Sequence, residues 1–173
     1  NLLQAAVLSA AGIQSPQALR VLLVDFSGRS LRALESLKHV VSRVTDVTAL
    51  DAQLTLLEAS LADTQMVTSR TIIVSDDYDA TSESLLASGG QTLKRLRDLA
   101  RLPSESGVHF WVAGYMERTG DLLLRQLLLH RSGFGLCSRE SLAVFGIRTS
   151  QLPAEIMPEG RAYFAQHNQI AVV

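Results

Sequence analysis

The stretch Thr71-Ile72-Ile73-Val74-Ser75-Asp76-Asp77-Tyr78-Asp79 constrains the fold more than any other. Ile72, Ile73 and Val74 form an unbroken β-branched run, the pattern of a strand buried on both faces of a parallel sheet. Asp76 and Asp77 follow at once. In open α/β sheets ligands lie beyond the carboxyl ends of the strands, so these acids would stand where a ligand binds. A hard cation such as Mg²⁺ takes carboxylate oxygens and water and bridges to phosphate, which makes Mg²⁺-phosphate a fitting ligand for such a strand end. A single Asp after a strand more often caps a turn or the next helix. An Asp-Asp-x-Asp cluster brings the two readings level.

The surroundings of that strand fix the fold class. Val21-Leu22-Leu23-Val24-Asp25 is a second buried strand ending on an acid, and Val40 to Val44 is a third, shorter one. Asn1 to Ala11 reads as a helix with Gly12 as its C-terminal cap, and Ser30 as the cap of a short helix through Leu37. Asp46 opens the clearest helix, where Val47, Leu50, Leu54, Leu57 and Leu61 make one apolar stripe. Thr81 or Ser82 would cap another, interrupted at Gly89-Gly90, whose second half turns Leu93, Leu96 and Leu99 inward and Lys94, Arg95, Arg97 and Arg101 mostly outward. That basic face is a solvated surface before it is a binding site.

After a loop from Pro103 to Gly107, Val108-His109-Phe110-Trp111-Val112-Ala113 is a strand closing on Gly114-Tyr115. His109 and Trp111 share one of its faces and are packing residues on this reading. A helix from Thr119 or Asp121 carries leucines at 122, 123, 124, 127, 128 and 129, more than one buried stripe uses, which makes it a candidate contact surface. Gly133 would cap it. Phe134 to Cys137 is a short buried strand with the lone cysteine in the core. Tyr163-Phe164 and Ile170 to Val173 form a terminal hairpin expected to add antiparallel edge strands to the sheet.

Strands alternating with helices in this order make a doubly wound α/β domain. With 173 residues, the chain suffices for one domain with a single core, burying about 70% of its unfolded surface. Sixteen Lys and Arg against 17 Asp and Glu remove any global attraction to nucleic acid or anionic membrane. No apolar run approaches a membrane span and no signal peptide opens the chain, so a soluble intracellular fragment is the expected class.

The order of these motifs resembles the ATPase domains of the FtsK/SpoIIIE class, and among them the last, divergent module of type VII secretion motors of the EccC/EssC type. The resemblance is carried by Val24-Asp25-Phe26, by Ile73-Val74-Ser75-Asp76-Asp77-Tyr78-Asp79 in the place of a Walker B strand, by Ser106-Gly107-Val108-His109 opening a sensor strand, and by Pro158-Glu159-Gly160-Arg161-Ala162 before the hairpin. It spans nearly the whole chain, residues 1–173 as one domain, with a P-loop NTPase sheet of the RecA/FtsK-like type. It implies ATP and Mg²⁺ as ligands, with Asp76 holding Mg²⁺ through water and Asp76, Asp25, Gly114 and Tyr115 at the nucleotide. In that family a phosphate loop ending in Gly-Lys-Ser/Thr runs into a helix like Asn1-Leu2-Leu3-Gln4, so the loop and its strand are expected upstream of Asn1.

Two departures bear on activity. Asp77 stands where active members carry a catalytic Glu, and a base drawn back by one methylene misplaces the attacking water. Gly114-Tyr115 replaces the Thr-Gln that ends the sensor strand. The resemblance therefore implies a module of little or no hydrolytic activity with a regulatory, assembly or substrate-contact role. It would sit on the cytoplasmic side of a membrane-anchored protein, contacting adjacent ATPase modules and a secreted protein, and oligomerising, as a hexamer, through the full-length chain. An active DNA translocase and a pseudo-ATPase interaction domain are the alternatives; the former needs more basic surface than Lys94, Arg97 and Arg101 offer. A phosphoacceptor signalling domain ranks below both, because its acids should follow the first strand.

Overall fold

The computed structural model describes residues 2–28, 30–62, 69–115, 132–136, 142–143, 145–148, 150, 161–166 and 169–173. The chain divides into two compact units, residues 1–115 and 116–173.

In the first unit, α1 (Leu2–Ile13) precedes β1 (Leu19–Val24), a single 3₁₀ turn at Arg32–Leu34 and β2 (Val40–Val44). Then come α2 (Val47–Ala62), β3 (Arg70–Ser75), α3 (Tyr78–Ala87), α4 (Gln91–Ala100) and β4 (Val108–Val112). The strands form one parallel sheet in the order β2-β1-β3-β4. The β-branched runs are buried on both faces, and their alternation sorts them. Leu22, Val24 and Ile73 face a cluster holding Leu50 and Leu54 of α2, Leu85 of α3, and Leu93, Leu96 and Leu99 of α4. Leu19, Val21, Leu23, Ile72 and Val74 face the opposite cluster with Leu3 and Val7 of α1, and Trp111 packs against that side. Helices on both faces of a parallel sheet make this a doubly wound α/β fold, as expected.

Local chemistry explains several boundaries. Asp46 accepts the Ala49 amide at 2.8 Å, an N-cap that starts α2 where the sequence placed it. Gly89 and Gly90 both have positive φ, which ends α3 and lets α4 start afresh. Arg95, expected to face solvent, instead bridges to α2: its guanidinium donates to Glu58, Asp51 and Thr55. The hydrogen bond to Glu58, followed by that to Asp51, raises its pKa above the ordinary arginine value despite opposing desolvation.

Other expectations are corrected. Gly12 lies inside α1, which runs on to Ile13. The helix expected from Ser30 to Leu37 shrinks to the 3₁₀ turn, and the Ser30 carbonyl that would accept its first bond accepts from the Gln4 side chain instead. Helix α3 begins at Tyr78, ahead of Thr81 and Ser82, which are buried within it.

In the second unit β5 (Gly133–Gly135), β6 (Tyr163–Gln166) and β7 (Gln169–Val172) form a separate antiparallel sheet in that order. The terminal hairpin is present, but it pairs with β5 and does not extend the parallel sheet. Where composition implied one core, a second small cluster of Leu142, Phe145, Tyr163 and Ala165 backs this sheet. Gly133 opens β5 beneath the Phe145 ring, where a Cβ would meet Cζ at 2.1 Å. The leucine-rich helix over 119–129, Cys137, Pro158, Glu159 and Gly160 lie outside the described residues.

Candidate functional site

Parallel pairing in the register Val24↔Ser75↔Val112 sets the ends of β1, β3 and β4 in one row. Asp25, Asp76 and Ala113, the residues that follow, therefore share the carboxyl edge. The first turn of α1 stands at the same edge, because Gln4 Nε2 donates to the carbonyl oxygen of Ser30 in the loop after β1. Ser30 and Ser27 of that loop and Asp76 and Asp77 after β3 line a cleft of ≈ 440 Å³. The acids thus line one opening at the carboxyl edge, and the start of the first helix holds the loop that forms its other wall.

The expected site residues separate into two groups. Asp76 and Asp77 are in the cleft. Asp76 is half-buried and its Oδ1 accepts the Asp77 amide at 3.1 Å, while Asp77 is exposed at φ 55°, ψ 49°. A left-handed backbone is strained for most side chains and is tolerated best by Gly, Asn and Asp. That gives a local reason for Asp, the shorter acid, at this position.

Asp25, Gly114 and Tyr115 are not among the cleft residues. Asp25 is 0% exposed behind the loop. Its carboxylate accepts from Ser27 Oγ at 3.1 Å, the Leu31 amide at 3.3 Å and Arg43 Nη1 at 3.4 Å. Gly114 packs against the start of α3. The Tyr78 amide donates to the Ala113 carbonyl at 3.0 Å, and a Cβ on Gly114 would meet Asp79 Oδ1 at 2.9 Å and Tyr78 N at 3.0 Å. A side chain at position 114 requires Asp79 to turn aside and the start of α3 to give by a few tenths of an ångström. Tyr115 is 65% exposed.

Sequence reasoning did not place Ser27, Ser30 or Arg43 at the site, and read Ser30 only as a helix cap. Ser27 and Ser30 carry no motif of their own; only the loop's return beside β3 brings them to the acids. Arg43 could have been flagged as a cation at a strand end beside an acid at a strand end.

The donor set suits a hard cation. Two carboxylates and two hydroxyls offer oxygen only, and among the described residues no cluster of three His, Cys, Asp or Glu could hold a metal alone. Mg²⁺ is typically held that way, by one or two carboxylates plus substrate phosphate.

Comparison with solved structures resolves what this architecture is. Over 99% of its length the chain matches the cytoplasmic domain of the type VII secretion ATPase EccC from Thermomonospora curvata, with a TM-score of 0.76 at 19% identity. This is the fold of a type VII secretion ATPase module. The ATPases 2 and 3 of EssC from Geobacillus thermodenitrificans match over 96% of the chain (TM-score 0.74, 19% identity). The same two ATPases of T. curvata EccC, solved with a signal sequence peptide, also match over 96% (TM-score 0.69, 19% identity). The chain spans 21%, 35% and 32% of those solved chains, respectively. Neither a family model nor a curated relative matches it. Among the described residues no helix is long and apolar enough to cross a membrane.

Proposed function

We propose that this chain is a divergent ATP-binding module of a type VII secretion ATPase, weakly active or inactive in hydrolysis, with a regulatory, assembly or substrate-contact role. One observation carries the reading: the cleft at the carboxyl edge joins Asp76 and Asp77 to a loop held by the first turn of α1. In it Asp76 would hold Mg²⁺ through water, and Ser27 and Ser30 would offer hydroxyls to a bound nucleotide. Bound Mg²⁺ neutralises phosphate charge. Asp77 occupies the position of the hydrolytic base, and its short side chain on a left-handed backbone supports weak hydrolysis at best. Gly114, packed against the start of α3 after β4, supports the same conclusion, since it offers no side chain to hydrogen-bond a γ-phosphate.

The solved relatives hold several ATPase modules in one chain, which supports adjacent modules as partners here. The signal peptide bound to T. curvata EccC supports a secreted protein as a substrate contact, and that relative's cytoplasmic domain supports a cytoplasmic place for this module. The basic face of α4 weighs against DNA. Lys94 and Arg101 both pair with Asp98, at 3.5 Å, and Arg95 is tied to Asp51 and Glu58.

Calorimetry of Mg-ATP binding to the full-length protein tests the proposal. Asp76→Asn should weaken binding by roughly 10- to 100-fold, the range of a lost charge-assisted contact. Unchanged affinity would remove Asp76 from the site. Asp77→Ala should leave the ATP turnover of the full-length protein unchanged. A fall in turnover would make this an active ATPase.

A further inference from the structure

We propose that Asp25 and Arg43 are positioning residues that hold one wall of the cleft in place without touching its ligand. A carboxylate shut away from water is costly unless donors surround it and a cation compensates it. Asp25 meets both conditions, and each donor it uses shapes the loop. Ser27 Oγ and the Leu31 amide bracket the segment that carries Ser27 and Ser30 into the cleft, so one side chain closes that loop at both ends. The Asp25 carbonyl accepts the Gly28 amide at 2.9 Å, tightening the same turn. Beyond it, Leu31 is 0% exposed in the cluster that holds Leu3 and Val7 of α1.

The compensating cation comes from β2. Arg43 lies opposite Leu23 in the parallel register, one residue short of the end of β1. Its guanidinium is divided between Asp25, at 3.4 Å, and Glu35, at 3.0 Å, the latter 53% exposed. The loop is therefore held between a buried acid and an arginine anchored from the surface. If Arg43 is removed, Asp25 becomes an unpaired buried charge, and the least costly relief is to open the loop toward water. That opening moves Ser27 and Ser30 away from Asp76 and Asp77.

The ligand arm of this inference rests on the nucleotide reading above; the loop arm does not. The test uses the full-length protein with Asp25→Asn, Arg43→Lys, Arg43→Met and the double variant Asp25→Asn/Arg43→Met. Hydrogen exchange over residues 26–31 is followed without ligand, and Mg-ADP affinity by calorimetry. Asp25→Asn and Arg43→Met should each speed exchange in residues 26–31 beyond the rise that lost global stability brings to β1 and β3, and weaken Mg-ADP by roughly tenfold, the scale of one lost charge-assisted hydrogen bond. The double variant should be no worse than Arg43→Met, because a neutral Asn no longer needs the cation. Arg43→Lys, which keeps the charge and folds most safely, should restore most of both signals.

Exchange rising equally in residues 26–31, β1 and β3 would reduce the pair to general stability and overturn the proposal. So would wild-type exchange in a folded Asp25→Asn protein. A loosened loop with unchanged Mg-ADP affinity would refute positioning for nucleotide. Absence of any Mg-ADP binding by the wild type would refute the nucleotide reading instead, while exchange over 26–31 still decides what Asp25 does.

Discussion

The ends of β1 and β3 look alike in the sequence and are opposite in the structure. Both strands are short β-branched or leucine runs that stop on an acid. Asp25 is wholly buried and satisfied by three donors, whereas Asp76 is half-buried and Asp77 exposed at the rim of a cleft. The difference teaches that an acid after a parallel strand can serve either the loop or the ligand. Asp25 takes the first role, and a cation reaches it from the neighbouring strand. Arg43 on β2 reaches Asp25. Asp76 follows β3 and lines the cleft.

The sharpest way to break this comparison is to remove the cation. Arg43→Met should cost about 3–5 kcal/mol in denaturant unfolding, the scale of a buried ion left unpaired. Asp76→Asn should cost under about 1 kcal/mol in the same assay, as an accessible site does. Equal losses would show that the two strand ends do the same work.

A smaller loss is expected at the third strand end. Gly114→Thr should destabilise by about 1–3 kcal/mol, because the new side chain must displace Asp79 Oδ1 and the Tyr78 amide. Adding Asp79→Ala should return part of that loss, the backbone share staying lost. Thermal melts that show no penalty would mean that α3 moves freely from β4.

Smaller again is the backbone term at Asp77. Asp77→Glu should lower stability by about 0.5–1 kcal/mol and Asp77→Gly should match or exceed wild type, since glycine alone adopts φ 55° without strain. Melting temperatures in the reverse order would separate the choice of Asp from its backbone.

The least effect should come from the surface of α4. Asp98→Ala removes the partner of Lys94 and Arg101 at half-exposed positions and should change stability by less than about 0.5 kcal/mol, vanishing in 1 M salt on the ~3 Å screening length expected there. A salt-resistant loss would give that exposed pair the character of Asp25 and Arg43.

Much of the architecture was legible because its signals are local. The Ile72-Ile73-Val74 run, the stripe of α2, its Asp46 cap and the Gly89-Gly90 break each act within a turn or a strand's length. The start of α3 was misplaced because Tyr78 is fixed by the Ala113 carbonyl, 35 residues away in sequence. The Ser30 helix was overestimated because Gln4, 26 residues away, takes the Ser30 carbonyl that would have accepted its first bond. The hairpin was recognised from its alternation, but its pairing with β5 depends on which edge is free, and no sequence period encodes that.

The sequence by itself determined that parallel strands alternate with helices and that acids stand at the carboxyl edge, because periodicity and strand direction follow from neighbouring residues. Only the tertiary structure decided that Asp25 serves a loop while Asp76 and Asp77 face a cleft. That outcome depends on Arg43, 18 residues from Asp25, and on the Ser27–Ser30 loop reaching β3, contacts that chain folding creates and local pattern does not contain.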